Sequence, residues 1–71
     1  MRLSRHAKNQ ARKYGIPESE IRRIVVFGYP VDHDSDGRPR YLGEVHGLWV
    51  RVVVAVDAPD LIVTIHPRRH R

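Results

Sequence analysis

The feature that most constrains this sequence is the run from Leu48 to His66, Leu-Trp-Val-Arg-Val-Val-Val-Ala-Val-Asp-Ala-Pro-Asp-Leu-Ile-Val-Thr-Ile-His. Two stretches rich in β-branched residues flank Asp57-Ala58-Pro59-Asp60, and such a pattern reads as a β-hairpin with a proline in its turn. Pairing Val56 with Leu61 across that turn sets Val53 opposite Thr64 and Arg51 opposite His66. Successive side chains of a strand point to opposite faces. Val50, Val52, Val54 and Val56 then share one face with Leu61, Val63 and Ile65. Arg51 and Val53 share the other with Thr64 and His66. One face is hydrocarbon, and the other gathers a guanidinium, a hydroxyl and an imidazole.

The hydrocarbon face needs a cover, and the preceding residues supply one. Ser4 is a helix N-cap type whose hydroxyl accepts from backbone N–H groups of the first turn. Leu3, Ala7, Ala11 and Tyr14 follow at spacings of three and four, with His6, Gln10 and Lys13 beside that stripe, and Gly15 suits the helix end. Pro17, Glu18 and Glu20 open a second helix, since proline is tolerated in a first turn and acids there favour the helix dipole. Ile21, Ile24, Val25 and Phe27 are its expected buried face, Glu18–Arg22 an i,i+4 pair, and Gly28 its end. Helices are thus predicted over about 4–14 and 17–27, and strands over about 30–34, 39–45, 48–56 and 61–66. Asp34-Ser35-Asp36-Gly37 and His46-Gly47 are the turns between the earlier strands. The tail from Pro67 to Arg71 is basic and expected to be unpacked.

Helices grouped before strands argue an α+β fold, here two helices on one face of a four-stranded antiparallel sheet. With 71 residues and neither repeat nor linker, the chain reads as a single domain over residues 1–71. A domain of that size buries only about 60% of its unfolded surface. Each valine of the hairpin is worth roughly 1.5–3 kcal/mol on full burial.

Cysteine is absent, which removes a disulfide framework and thiolate metal sites and fits a reducing compartment. No apolar run approaches the ~18 residues of a membrane span, and no signal segment is present, so a cytoplasmic location without membrane association is expected. The net charge of +5, carried mostly by arginine, points to a polyanionic partner, nucleic acid above all. Arginine grips phosphate oxygens two at a time.

Several motifs fail on inspection. Asp32-His33-Asp34-Ser35-Asp36-Gly37 opens like a calcium loop, but the position that needs a bidentate glutamate is Gly43, and Glu44 falls one residue late. His66 and His70 have the spacing of a helical metal pair, yet Pro67 makes a helix there improbable. The glycines form no phosphate loop. No metal or cofactor is expected. What remains is the polar face of the hairpin together with His6. An arginine inside a valine strand is costly unless its head reaches water, an acid or a ligand phosphate. Two readings are open: a surface Arg51 paired with Glu44, or a phosphate clamp.

Leu3-Ser4-Arg5-His6-Ala7, Arg12-Lys13-Tyr14-Gly15-Ile16, Glu18-Ser19-Glu20-Ile21, Trp49-Val50-Arg51-Val52-Val53-Val54 and Ile62-Val63-Thr64-Ile65 carry a resemblance across nearly the whole chain. Together they resemble a small bacterial family whose members open with a Ser-x-His-Ala helix, continue through an Arg-Gly-Ile helix break and end in Arg-bearing and Thr-bearing strands. That family is similar to the RelE-like toxins of the barnase–colicin–RelE ribonuclease superfamily. Here Lys13-Tyr14 replaces the usual arginine before the glycine, and the loop carrying Asp32, Asp34 and Asp36 is unusually acidic. The resemblance implies a RelE-like fold and an endoribonuclease toxin of a toxin–antitoxin module. It implies metal-independent cleavage by attack of the ribose 2′-hydroxyl, with RNA (including ribosome-bound mRNA) and a cognate antitoxin protein as partners. His6, Arg51 and Thr64 match its recurrent polar positions, and strand parity adds His66. In that chemistry His6 and His66 would be base and acid in either order. Arg51 would stabilise the phosphate and Thr64 orient a non-bridging oxygen. Arg40, Lys13 and Arg68 would contact RNA, and Tyr41 or Trp49 would stack a base. Whether Tyr41 reaches that face depends on the His46-Gly47 turn, because a one-residue slip flips a strand. The alternatives are a non-catalytic basic module that binds RNA or the ribosome, and a protein-interaction domain that uses an exposed sheet edge.

Overall fold

The structure, a computed structural model, describes residues 1–69. Its elements in chain order are β1 (Arg2–Leu3), α1 (Arg5–Tyr14), α2 (Glu18–Val26), β2 (Asp32–His33), β3 (Pro39–Val45), β4 (Leu48–Val54) and β5 (Leu61–Arg69). The fold is α+β, as the grouping of helices before strands predicts. The sheet, however, has five strands in the order β1-β5-β4-β3-β2 and is mixed. The extra strand is β1, which pairs in parallel with β5 through Arg2 opposite Leu61 and Leu3 opposite Ile62. Two residues are too few to show an alternating pattern, so the sequence presents them as a lead-in.

The hairpin register holds where the polar side chains lie. Arg51 faces His66, Val52 faces Ile65 and Val53 faces Thr64. It fails towards the turn. The ladder slips between Val53 and Val54, so that Val54 faces Ile62 and Val63 is passed over. The expected pairing of Val56 with Leu61 is therefore not made: β4 stops at Val54, Ala55 N–H donates to Leu61 O at 3.0 Å, and Val56 is exposed. Such a bulge reverses which residues of a strand face the core. Ile62 is fully buried in place of Leu61 and Val63, which are half-buried. The bulge has a visible partner in Ser4. Its N–H donates to Ile62 O at 2.9 Å and its hydroxyl to Val63 O at 2.6 Å. The same Oγ accepts from Ala7 N–H at 3.0 Å as the cap of α1. One serine thus starts α1 and seats it on β5.

Both helices lie over the face carrying Val50, Val52 and Val54. The core joins those valines to Ala7, Ala11, Ile16, Ile21, Ile24, Val45, Ile62 and Ile65. Gly43 sits opposite Val50 on this face, and a Cβ there would run into the Ile24 side chain. Glycine lets α2 press against β3. Phe27, expected among these residues, is 84% exposed, because α2 stops at Val26 and Phe27 is its C-cap. Pro17 stands as the N-cap of α2, one position before the helix, and the ion pair on α2 joins Arg23 to Glu20 at 2.8 Å where Glu18–Arg22 was expected.

The remaining corrections concern strand ends. The edge strand β2 is limited to Asp32–His33, against the expected span of about 30–34. The tail is paired as far as Arg69: Pro67 faces Val50, Arg68 faces Trp49 and Arg69 faces Leu48. His70 and Arg71 lie outside the described residues. The β3–β4 hairpin turns on two residues, His46 and Gly47, with φ of 50° and 82°. That is the sense of twist a tight hairpin demands. It fixes Val45 opposite Leu48 and with it the face of every residue on β3.

Candidate functional site

The face turned away from the helices is built in cross-strand rows. Glu44, Trp49 and Arg68 make one row, Leu42, Arg51 and His66 the next, and Arg40, Val53 and Thr64 a third. Val53 is buried here even so, flanked in register by Arg40 and Thr64. Beyond Ile62, the outer edge of β5 has no strand partner among the described residues. A cleft of about 410 Å³ passes round that edge, lined by Gln10 and Tyr14 of α1, Arg40, Arg51, Ile65, His66, Pro67 and Arg68.

Arg51 stands at the centre of this arrangement. It is half-buried, its Nε is shielded from solvent, and that Nε has no hydrogen-bond partner among the described residues. A sheltered N–H donor without an acceptor is uncommon and calls for an explanation. Register places Leu42 and His66 beside it, and Glu44 sits opposite Trp49 in the neighbouring row. The expected alternative of an Arg51–Glu44 ion pair is not formed among the described residues.

Arg40 is held differently. Its Nε and Nη2 donate to Asp32 Oδ1 and Oδ2 at 2.7 and 2.8 Å, a two-pronged pair. That pair holds the Asp32 carboxyl below its ordinary value, chiefly through the hydrogen bond, with Arg51 contributing a smaller attraction. In the adjoining turn, Asp34 Oδ1 accepts from the backbone N–H groups of Asp36 and Arg38, both at 2.9 Å. Arg38 Nη2 donates to Asp36 at 2.6 Å, and its Nε lies 3.0 Å from Asp34 Oδ2, close enough for an ion pair although not aligned as a hydrogen bond. Asp32 thus has Arg40 to itself, while Asp34 and Asp36 share Arg38. Among the described residues no three His, Asp or Glu side chains converge as metal ligands.

His66 is exposed, and its imidazole is pushed below its ordinary value. Desolvation by its surroundings is the largest cause, followed by the positive charges of Arg51, His6, Arg40 and Arg68. The same surroundings favour the neutral imidazole, the form that has a lone pair to accept a proton, and weaken it as a base. His6, in the first turn of α1, lies within electrostatic reach of it. The structure therefore pairs Arg51 with His66 across the strands, while His6 acts on His66 through its charge and does not line the cleft. Thr64 lies one row away, half-buried, and its hydroxyl reaches the Ile65 carbonyl only at 3.5 Å.

The expected RNA-contacting residues divide. Arg68 lines the cleft and Trp49 lies on the same face, opposite Arg68. Arg40 lines the cleft with its fork occupied by Asp32. Lys13 is exposed in the last turn of α1, its ammonium 5.6 Å from the centre of the Tyr14 ring. Tyr41 is not on this face: it stands opposite Val52 and packs against the core, because the two-residue turn sets its parity with the covered side. Ile65 and Pro67 also line the cleft without having been expected there, and so do Gln10 and Tyr14, the latter expected in the apolar stripe of α1 but 44% exposed. For Gln10 and Tyr14 the signal was their spacing, since with His6 they recur every four residues along α1 and form one ridge. Phe27 and Tyr29, both more than 80% exposed, belong to the connection between α2 and β2, away from the cleft.

The fold and the cleft define a small two-layer α+β domain with an arginine–histidine site on the open face of its sheet. Residues 3–66 match the family model described as a domain of unknown function, DUF4258, and the chain belongs to that family. No curated protein and no solved structure matches the chain. Among the described residues no helix is long and apolar enough to cross a membrane.

Proposed function

We infer that this domain is a RelE-like, metal-independent endoribonuclease, the toxin of a toxin–antitoxin module that acts in the cytoplasm and is held inactive by a partner antitoxin. The observation that carries this reading is the cross-strand pair of Arg51 and His66, with His6 in electrostatic reach and no acid tied to Arg51 among the described residues. A guanidinium whose Nε is shielded and that forms no ion pair among the described residues is preorganised for an anion whose charge grows during reaction. A phosphodiester of RNA is such an anion, and the basic balance of the chain favours its approach.

In this mechanism the neutral His66 takes the proton from a ribose 2′-hydroxyl, and the 2′ oxygen attacks the adjacent phosphorus. Arg51 stabilises the charge on the crowded phosphate, with Arg68 beside it. The bond to the 5′ oxygen breaks, and His6 supplies the proton that oxygen takes up. The products are a 2′,3′-cyclic phosphate and a 5′-hydroxyl, and every step draws on side chains alone. Thr64 orients a non-bridging oxygen after its hydroxyl turns from the Ile65 carbonyl. Trp49 is the aromatic that β4 carries on this face.

Incubating purified protein with RNA tests the assignment. Cleavage that persists with a chelator and is lost in Arg51→Ala and in His6→Ala is expected. Undiminished cleavage in both variants would remove the assigned site. Salt-sensitive RNA binding without any cleavage on long incubation would instead favour a non-catalytic RNA-binding module.

A further inference from the structure

His6, Gln10 and Tyr14 follow one another at intervals of four along α1, so they form a single ridge of that helix. The ridge runs alongside β5 in the same chain direction. Ser4 is bonded to Ile62 and Val63 at the start of α1, and Tyr14 at its end shares the cleft with Pro67 and Arg68. The proposed reaction uses only His6. Gln10 and Tyr14 nonetheless line the cleft that also holds Arg51, His66 and Arg68. Its volume, about 410 Å³, falls within the roughly 300–1,000 Å³ of sites that take a small organic ligand. The wall opposite the arginines is neither charged nor purely apolar. It offers the phenol ring of Tyr14, 44% exposed, and the half-buried amide of Gln10.

We propose that Tyr14 and Gln10 form a nucleobase subsite, so that the cleft takes one ribonucleotide of an RNA chain, its phosphate on Arg51 and Arg68 and its base on the Tyr14 ring. An aromatic ring stacks any base through its π-face. The Lys13 ammonium lies over one side of the Tyr14 ring, 5.6 Å from its centre, and the base would stack on the other. The Gln10 amide carries both donors and an acceptor. It therefore complements a base edge that presents one of each side by side, and it is the group that ranks the bases. Tyr14 is the base platform and Gln10 the specificity residue. The inference rests on the reading of the cleft as a site for RNA phosphate and adds the part of the substrate that phosphate contacts cannot distinguish.

Calorimetric titration of the full chain with inorganic phosphate and with the four ribonucleoside 3′-monophosphates tests the subsite. The nucleotides are expected to bind about tenfold tighter than phosphate, the gain that stacking of a single base supplies. Tyr14→Ala brings them down to the level of phosphate, Tyr14→Phe keeps the gain, and Gln10→Ala changes the order of the four bases. Arg51→Ala weakens phosphate and nucleotides alike. Equal binding of nucleotides and phosphate by the wild type, or nucleotide binding indifferent to Tyr14→Ala, overturns the subsite. The RNA digest separates this from the nuclease assignment. Tyr14-dependent nucleotide binding without RNA cleavage leaves the subsite standing and removes the nuclease. Cleavage whose rate and position ignore both Tyr14→Ala and Gln10→Ala does the reverse.

Discussion

Arg40 and Arg51 stand on adjacent strands of the same sheet face, one row apart, and the molecule treats them in opposite ways. Arg40 is forked onto Asp32 and belongs to a region, from Asp32 to Arg40, in which every carboxylate is answered by an arginine. Arg51 belongs to the other half of the face, where the neighbours are a histidine and a leucine and its Nε stays unsatisfied among the described residues. Positive charge is therefore neutralised at one end of the face and held open at the other. The difference locates the anion site more sharply than the overall charge does, since a count of arginines weighs both alike.

The largest effect that can break this comparison is on cleavage. Arg51→Ala is expected to lower the rate by about 10²–10³, the range for losing one preorganised donor to a developing anion. Melting temperature should hold, because the side chain makes no ion pair among the described residues. Arg40→Ala should do the opposite: less than about tenfold on rate, with a measurable loss of stability, since it strands Asp32. Equal rate losses in the two variants would abolish the distinction.

A second test weighs the covered face against the open one. Gly43→Val should cost about 1–3 kcal/mol through overpacking against Ile24. That corresponds to a fall of at least ~4 °C in melting temperature for a domain of this size, with little effect on the nucleotide affinity of the folded fraction. Thermal melts followed by circular dichroism read the first, and titration below the transition reads the second.

The pH dependence is next in size. Because the His66 value in the folded chain lies below the ordinary 6.5, the unfolded chain takes up this proton first as pH falls. Stability at this site is thus full above about 6.5 and declines as pH drops from there through the folded value. If His66 is the base, the acidic limb of the cleavage profile falls below pH 6.5 and moves upward in Arg68→Ala, which removes one of the charges depressing it. Asp32 and Asp34 run on a lower window. Their folded values lie below 3.8, so the stability they contribute is present above 3.8 and fades as pH falls through those folded values. NMR titration of the His66 ring protons and acid melts of Asp32→Asn separate the two windows.

The smallest effect sharpens the comparison. Asp32→Asn should loosen the clamp on Arg40 and make one more cation available. RNA affinity should then depend on salt more steeply by about 0.7 in the logarithmic slope, the change for one added phosphate contact on a single strand. Arg51→Ala should make the slope shallower by a similar amount.

Much of this was legible in the residues. Arg51 stands opposite His66 as expected, although that register was counted from a Val56–Leu61 pair that is not made. Ser4 and Gly15 bracketed α1 through their capping chemistry. Three things were not legible. The slip at Val63 was hidden because Leu61, Ile62 and Val63 are all apolar, so either face could have been the inner one. The exposure of Phe27 was hidden because helical periodicity continues past the residue at which the helix stops. The fork from Asp32 to Arg40 was hidden although a strand was expected over about 30–34, because so short and polar a strand does not fix which residue stands opposite Arg40. In the site, Gln10 was expected beside the apolar stripe of α1 and Tyr14 within it, and only the course of α1 along β5 brings both to the cleft.

The slip at Val63 also divides the labour of β5. Before it, the strand answers to the hydrophobic layer through Ile62; after it, the odd positions face that layer and the even ones carry Thr64, His66 and Arg68 outward. Deleting Val63 would therefore let Ile62 and Thr64 follow one another as a regular ladder and leave the imidazole facing outward. The loss would fall elsewhere, on the carbonyl that the Ser4 hydroxyl holds, and so on the anchorage of the first helix.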